Sequence, residues 1–146
     1  MTLGWRICRA PFADLSGEGA RLYGGRWNQS GLPLVYLAET AALAVLEVRV
    51  HLDLPPDLLP DDYVLSTVTL AGLTVEHVGD LPSDTAAFGT HWLRSARTPV
   101  LSVPSLIVPE SRNLLLNPAH PEANGARITG SRAFSFDRRL WAPSTS

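Results

Sequence analysis

The sequence predicts an α+β domain, a mostly antiparallel sheet core with flanking helices. Three observations carry that expectation. Apolar segments succeed one another as strands, helix, strands, helix, strands, without the regular alternation of a parallel α/β fold. The chain has 146 residues, the length of one domain, and neither a repeat nor a composition shift divides it. Its apolar fraction of 45% suits a core that needs no staples.

In chain order, WRICRA reads as a short strand with Trp5, Ile7 or their neighbours toward the core. PFADLSGEGARLYGG lacks periodicity and reads as a glycine-rich loop. PLVYLA alternates, which places Leu34, Tyr36 and Ala38 on one face of a strand. Thr40 can cap a helix over Ala41 to His51, and the prolines of DLPPDLLPDD then make a surface connection. YVLSTVTL and LTVEHV are strand candidates. Thr85 to Ser95 reads as a helix with Trp92 and Leu93 inward. PVLSVPSLIV and RNLLLN follow as strands, and ARITG as a shorter one. One domain over residues 1–141 results, and the tail APSTS, residues 142–146, is expected to be disordered.

Composition removes several function classes. All 12 basic residues are arginine, and a chain without lysine has no Walker-type phosphate loop and forms no Schiff base. The 14 acids outnumber them and no basic run appears, so direct binding of nucleic acid or an anionic membrane is not expected. Cys8 is the single cysteine; it reads as a core residue, permits no internal disulfide, and suits a reducing cytoplasm. His77, His91 and His120 have no metal-ligand spacing. The N-terminus lacks the apolar core of a signal peptide, and no apolar run reaches the ~18 residues of a spanning helix.

The chemistry concentrates in GGRWNQSG, residues 24–31, and in the helix after VYLAE. That helix is apolar almost all round, so most of its surface is expected to be buried, and Glu47 is its only acid. A buried carboxylate needs a partner. Arg26, on a loop whose glycines permit close approach, is the natural candidate. On these residues alone, the pair reads equally as an inert ion pair or as part of a site. GEGARLYG is not a dinucleotide fingerprint, because Leu22 stands at the third glycine and no strand–loop–helix unit surrounds it.

Taken together, GGRWN, VYLAE, the LE of the next helix, VPS and NPAH resemble, in order and spacing, the RES-domain toxins of RES–Xre toxin–antitoxin systems. The resemblance runs from about Arg6 to Leu140. It implies a fold similar to diphtheria-toxin-like ADP-ribosyltransferases, with NAD+ as substrate and neither cofactor nor metal. It also implies a partner, an Xre-type helix-turn-helix antitoxin that occludes the active site. The arginine, glutamate and serine of the family's name fall on Arg26, Glu47 and Ser105, with Ser131 and Ser135 as later alternatives for the serine. Tyr36 matches the family's aromatic active-site position. Arg138 in FDRRL departs from the pattern, which has a proline there.

These residue types suit cleavage of NAD+. The pyridinium departs as neutral nicotinamide, so the two carboxylates of an ordinary glycosidase reduce to one. Glu47 can hold a ribose hydroxyl and stabilise the oxocarbenium-like transition state. Arg26 can grip the pyrophosphate bidentately. Tyr36 can stack on nicotinamide or cover the ribose; Ser105 can bind the ligand or hold Glu47. Arg6 is a candidate second phosphate ligand, with a surface salt bridge as the equal alternative. Tyr23 is a candidate lining residue, with packing under the glycine loop as its alternative. Trp27 is expected to anchor the arginine loop, His51 to end the helix, and His120 to serve a turn. The expected function is a toxin that depletes NAD+ by hydrolysis or phosphorolysis. ADP-ribosyl transfer to a protein shares the first step. A non-catalytic nucleotide-binding module is the third reading, and a carboxylate at Glu47 speaks against it.

Overall fold

The computed structural model describes residues 2–143. Seven strands, β1 (Leu3–Arg9), β2 (Val35–Ala38), β3 (Tyr63–Thr69), β4 (Val75–His77), β5 (Val100–Pro104), β6 (Arg112–Leu116) and β7 (Arg127–Ala133), form one sheet. Their order is β4-β5-β6-β2-β1-β3-β7. Neighbours run antiparallel except β4 and β5. The expected α+β architecture is therefore observed. Three α-helices accompany the sheet: α1 (Glu18–Tyr23), α2 (Ala41–Arg49) and α3 (Thr85–Ser95). Thr40 caps α2 by accepting from the Leu43 amide at 3.1 Å, and Asp84 caps α3 by accepting from Ala87 at 3.0 Å.

Strand periodicity sorts the core to two faces. Val35, Leu37, Val68, Leu114 and Leu116 cluster on one face. On the other, Leu101, Val103 and Leu115 meet Trp92 and Leu93 of α3 and the buried Trp27. Ile7, Ala38 and Leu65 meet Leu43 and Ala44 of α2 on that same face. The sheet is not joined evenly. Every residue of β1 pairs with β3, whereas only Trp5 pairs with β2, opposite Ala38. A seam thus opens between β1 and β2, beneath α2.

Several expectations need correction. The stretch read as a glycine-rich loop contains the six-residue helix α1; Gly17 and Gly24, at its ends, interrupt the pattern that would have revealed it. Helix α2 ends at Arg49, and only Leu43 and Ala44 of it are buried; Ala42, Leu46 and Val50 face outward. Apolar composition overstated its burial, because the sheet covers a single stripe. LTVEHV contributes only three residues to the sheet. The β5 strand stops at Pro104, which cannot donate to the ladder, and the last strand runs on to Ala133. Cys8 is half-buried, not core.

The C-terminal segment folds back over α2. Arg49 Nε donates to the Leu140 carbonyl at 3.0 Å, and its guanidinium lies 4.1 Å from the Trp141 ring centre. Arg138 opens a 3-10 turn capped by Asp137 and pairs with Asp57, so the departure from proline leaves this turn formed. Of the tail expected to be disordered, residues 144–146 lie outside the described residues. Among the described residues no helix is long and apolar enough to cross a membrane.

Candidate active site

The seam opens into a cleft of about 480 Å³, within the range of small-molecule sites (about 300–1,000 Å³). Arg6, Arg26, Tyr36, Glu47, His51 and Asn113 supply its principal polar side chains, while Trp5, Trp27, Leu34 and Val48 are among its apolar walls.

The arginine loop is shaped from below. Trp27, only 2% exposed, plugs it into the core. Tyr36 Oη donates to Asn28 Oδ1 at 2.6 Å and accepts from the Trp27 amide at 2.9 Å. Asn28 Nδ2 in turn donates to the Ala20, Gln29 and Leu32 carbonyls. Helix α3 holds the other side: Thr85 donates to the Arg26 carbonyl at 2.7 Å, and Thr90 accepts from the Gln29 amide at 3.1 Å. Two glycines make these approaches possible. A Cβ on Gly25 would stand 2.6 Å from Tyr36 Oη, and one on Gly89 would stand 1.8 Å from the Trp27 carbonyl oxygen. Burial pushes the Tyr36 phenol up to about 12, partly offset by the Trp27 amide and the charge of Arg26. The phenol is therefore neutral at working pH. At Arg26 itself only the backbone is fixed; the exposed guanidinium makes no hydrogen bond or ion pair with the described residues.

Glu47 is held differently. Its Oε1 accepts from Ser105 Oγ at 2.7 Å and from Asn113 Nδ2 at 2.9 Å. Ser105 is fully buried just past β5, and its oxygen accepts from the Ile107 and Val108 amides, both at 3.1 Å. Arg26, expected to pair with Glu47, forms no salt bridge with it among the described residues. The neutral donors of the sheet take that place. Glu47 is only half-buried, so its charge keeps water access and does not require a cation.

Arg6, Arg26, Tyr36 and Glu47 thus meet in one cleft. Ser105 is screened from it and touches Glu47. Tyr23 is 79% exposed and lies outside the lining, so neither of its expected placements holds. Arg6 donates to the Asp14 carbonyl and has no salt bridge among the described residues. Ser131 bonds Ser66 at 3.2 Å, two strands from β1, and Ser135 lines a separate hollow, so neither reaches Glu47. His120 accepts from the Glu122 amide at 3.0 Å and caps a turn. Among the described residues no cluster of ligands suits a metal. Sequence reasoning missed Asn28 and Asn113. Asn28 lies inside GGRWN and was legible; Asn113 reaches the site only through its register opposite Ala38.

Comparison with known proteins identifies the family. The RES domain model matches residues 3–138. The Prs ADP-ribosylating toxin of Sphingobium sp. is 42% identical, the match covering 87% of this chain and 86% of that one. The Toxin Res of Pseudomonas putida is 39% identical over 94% and 98% of the two chains. A 36-residue stretch is 57% identical to the NAD(+) phosphorylase MbcT of Mycobacterium tuberculosis, covering 24% of this chain and 19% of that one. The crystal structure of the M. tuberculosis MbcT–MbcA toxin–antitoxin complex superposes with a TM-score of 0.73 over 91% and 84% of the chains. At 23% identity, that likeness is one of fold. With a family model spanning the whole of its sheet and both walls of its cleft, the chain belongs to the RES domain family.

Proposed function

We propose that this chain is the toxin of a toxin–antitoxin system, an enzyme that breaks the nicotinamide–ribose bond of NAD+ and depletes the cell of it. The observation that carries the reading is the state of the two charges in the cleft. Among the described residues, Glu47 has one oxygen anchored and the other unengaged, and Arg26 has an unpaired guanidinium. A carboxylate beside the ribose stabilises positive charge developing at the anomeric carbon. A planar guanidinium matches a pyrophosphate. Tyr36 contributes its ring to the wall, since its hydroxyl is spent on the loop. Ser105 acts through Glu47. Arg6 is a secondary phosphate contact from the β1 side.

Hydrolysis, phosphorolysis and protein ADP-ribosylation share this first step and differ in the acceptor. The name of the M. tuberculosis relative supports phosphate, and that of the Sphingobium relative supports a protein. Purified protein incubated with NAD+, with and without inorganic phosphate, is expected to release nicotinamide, with ADP-ribose or its phosphate ester as the other product. NAD+ left intact under both conditions would overturn the reading. Transfer of adenine-labelled material to protein would favour ADP-ribosylation.

An Xre-type antitoxin in the cytoplasm, covering the cleft, completes the proposal; the fold neighbour solved as a toxin–antitoxin complex supports a partner of this kind. Occlusion predicts that an inert NAD+ analogue and the antitoxin compete reciprocally. Antitoxin affinity unchanged at saturating analogue would exclude it.

A further inference from the structure

Donor and acceptor counts around Glu47 determine more than its position. A serine hydroxyl has two acceptor sites and one proton. Ser105 spends both acceptor sites on the Ile107 and Val108 amides, so its proton is committed to Glu47 Oε1. The same oxygen takes the Asn113 amide nitrogen. The amide cannot be reversed, because its carbonyl would then oppose a carboxylate that only accepts.

Two acceptors remain, Glu47 Oε2 and Asn113 Oδ1. Neither receives a hydrogen bond from the described residues, and neither is hidden, since no half-buried side chain among them conceals an unpartnered polar atom. Both residues line the cleft. The amide stands on a braced strand. The neighbouring Arg112 binds Ser102 Oγ through Nε at 2.7 Å, and its backbone amide donates to Glu39 Oε1 at 3.0 Å.

We infer that Asn113 is a substrate-contacting residue that, with Glu47, recognises a vicinal diol. One hydroxyl donates to Glu47 Oε2 and its neighbour to Asn113 Oδ1. The inference rests on the NAD+ reading and names the nicotinamide ribose as the diol. A site built to bind a hydroxyl rejects the analogue that lacks it, because its own polar group is left unpaired.

The test compares NAD+ with two analogues, each lacking one hydroxyl of the nicotinamide ribose, on the parent, Asn113→Ala and Asn113→Ser, with thermal midpoints in parallel. The parent is expected to discriminate against both analogues. Asn113→Ala is expected to lose about tenfold in kcat/KM on NAD+ and to lose discrimination at one hydroxyl while keeping it at the other. Asn113→Ser, with a shorter arm, gives the same pattern should the alanine variant fail to fold. Equal slowing of all three dinucleotides, with both discriminations intact, marks a structural role and overturns the inference. A parent that consumes NAD+ without discriminating overturns it and leaves the NAD+ reading standing. A parent that leaves NAD+ intact overturns both.

Discussion

Glu47 and Arg26 line one cleft, yet the fold holds them in opposite ways. Glu47 rises from a capped helix, and one of its oxygens is clasped by two donors, Asn113 of β6 and Ser105 just past β5. Arg26 hangs from a loop whose backbone is tied at every side, while its own side chain makes no hydrogen bond or ion pair with the described residues. In the proposed reaction the contrast separates two tasks. Stabilising a transition state needs a group already in place, since fixed dipoles and charges incur no reorganisation as the bond breaks. Gripping a flexible pyrophosphate tolerates a mobile guanidinium, provided that its root is fixed. Had the two charges paired with each other, each would have neutralised the other's function.

The largest effect that can break this comparison is Glu47→Gln. The glutamine carbonyl can occupy the place of Oε1, so the fold should keep its thermal midpoint. The group facing the ribose becomes an uncharged donor, and kcat is expected to fall on the order of 10²–10³. Stopped NAD+ consumption with an unchanged melting curve checks it. Next comes Arg26→Lys, which keeps the charge but loses the fork. KM and the Kd of an inert analogue are expected to rise about tenfold, with kcat little altered. Calorimetric titration reads this directly, and because Arg26 makes no polar contact within the described residues, its midpoint should also stay.

Ser105→Ala sharpens the other side. It removes one donor from Glu47 and the acceptor of two amides, so kcat should fall about tenfold and stability by about 1–3 kcal/mol, measured by denaturant unfolding. Here stability and rate move together, unlike at Arg26. The smallest effect concerns the loop's tether. Tyr36 is raised to about 12 from 10.0, so the folded state favours the neutral phenol. Its contribution is complete below pH 10 and lost as pH climbs toward 12. The thermal midpoint should decline across that window, and Tyr36→Phe should flatten the decline.

Much of this was legible in the sequence, for identifiable reasons. Thr40 announced α2, Thr85 to Ser95 read as the helix that α3 is, and the alternation in PLVYLA placed Tyr36 and Ala38 on the face that lines the cleft. Local signals were strong there. Helix α1 was missed because six residues between glycines carry too little periodicity. Ser105 was read as able to hold Glu47 and does so, whereas the charged partner, Arg26, was misassigned because charge complementarity is visible in a sequence and strand register is not. Ser105 and Asn113 lie 58 and 66 residues from Glu47, and only the pairing of β2, β5 and β6 gathers them. Tyr23 read equally as a pocket residue or as packing under the glycine loop, but its side chain turns to solvent.

The most direct test of the division of labour is steady-state kinetics of Glu47→Gln and Arg26→Lys side by side, with nicotinamide release as the signal. The account predicts opposite splits: kcat falls with KM nearly unchanged for Glu47→Gln, and KM rises with kcat nearly unchanged for Arg26→Lys. Parental turnover by Glu47→Gln, or the same parameter shifting in both variants, would contradict it.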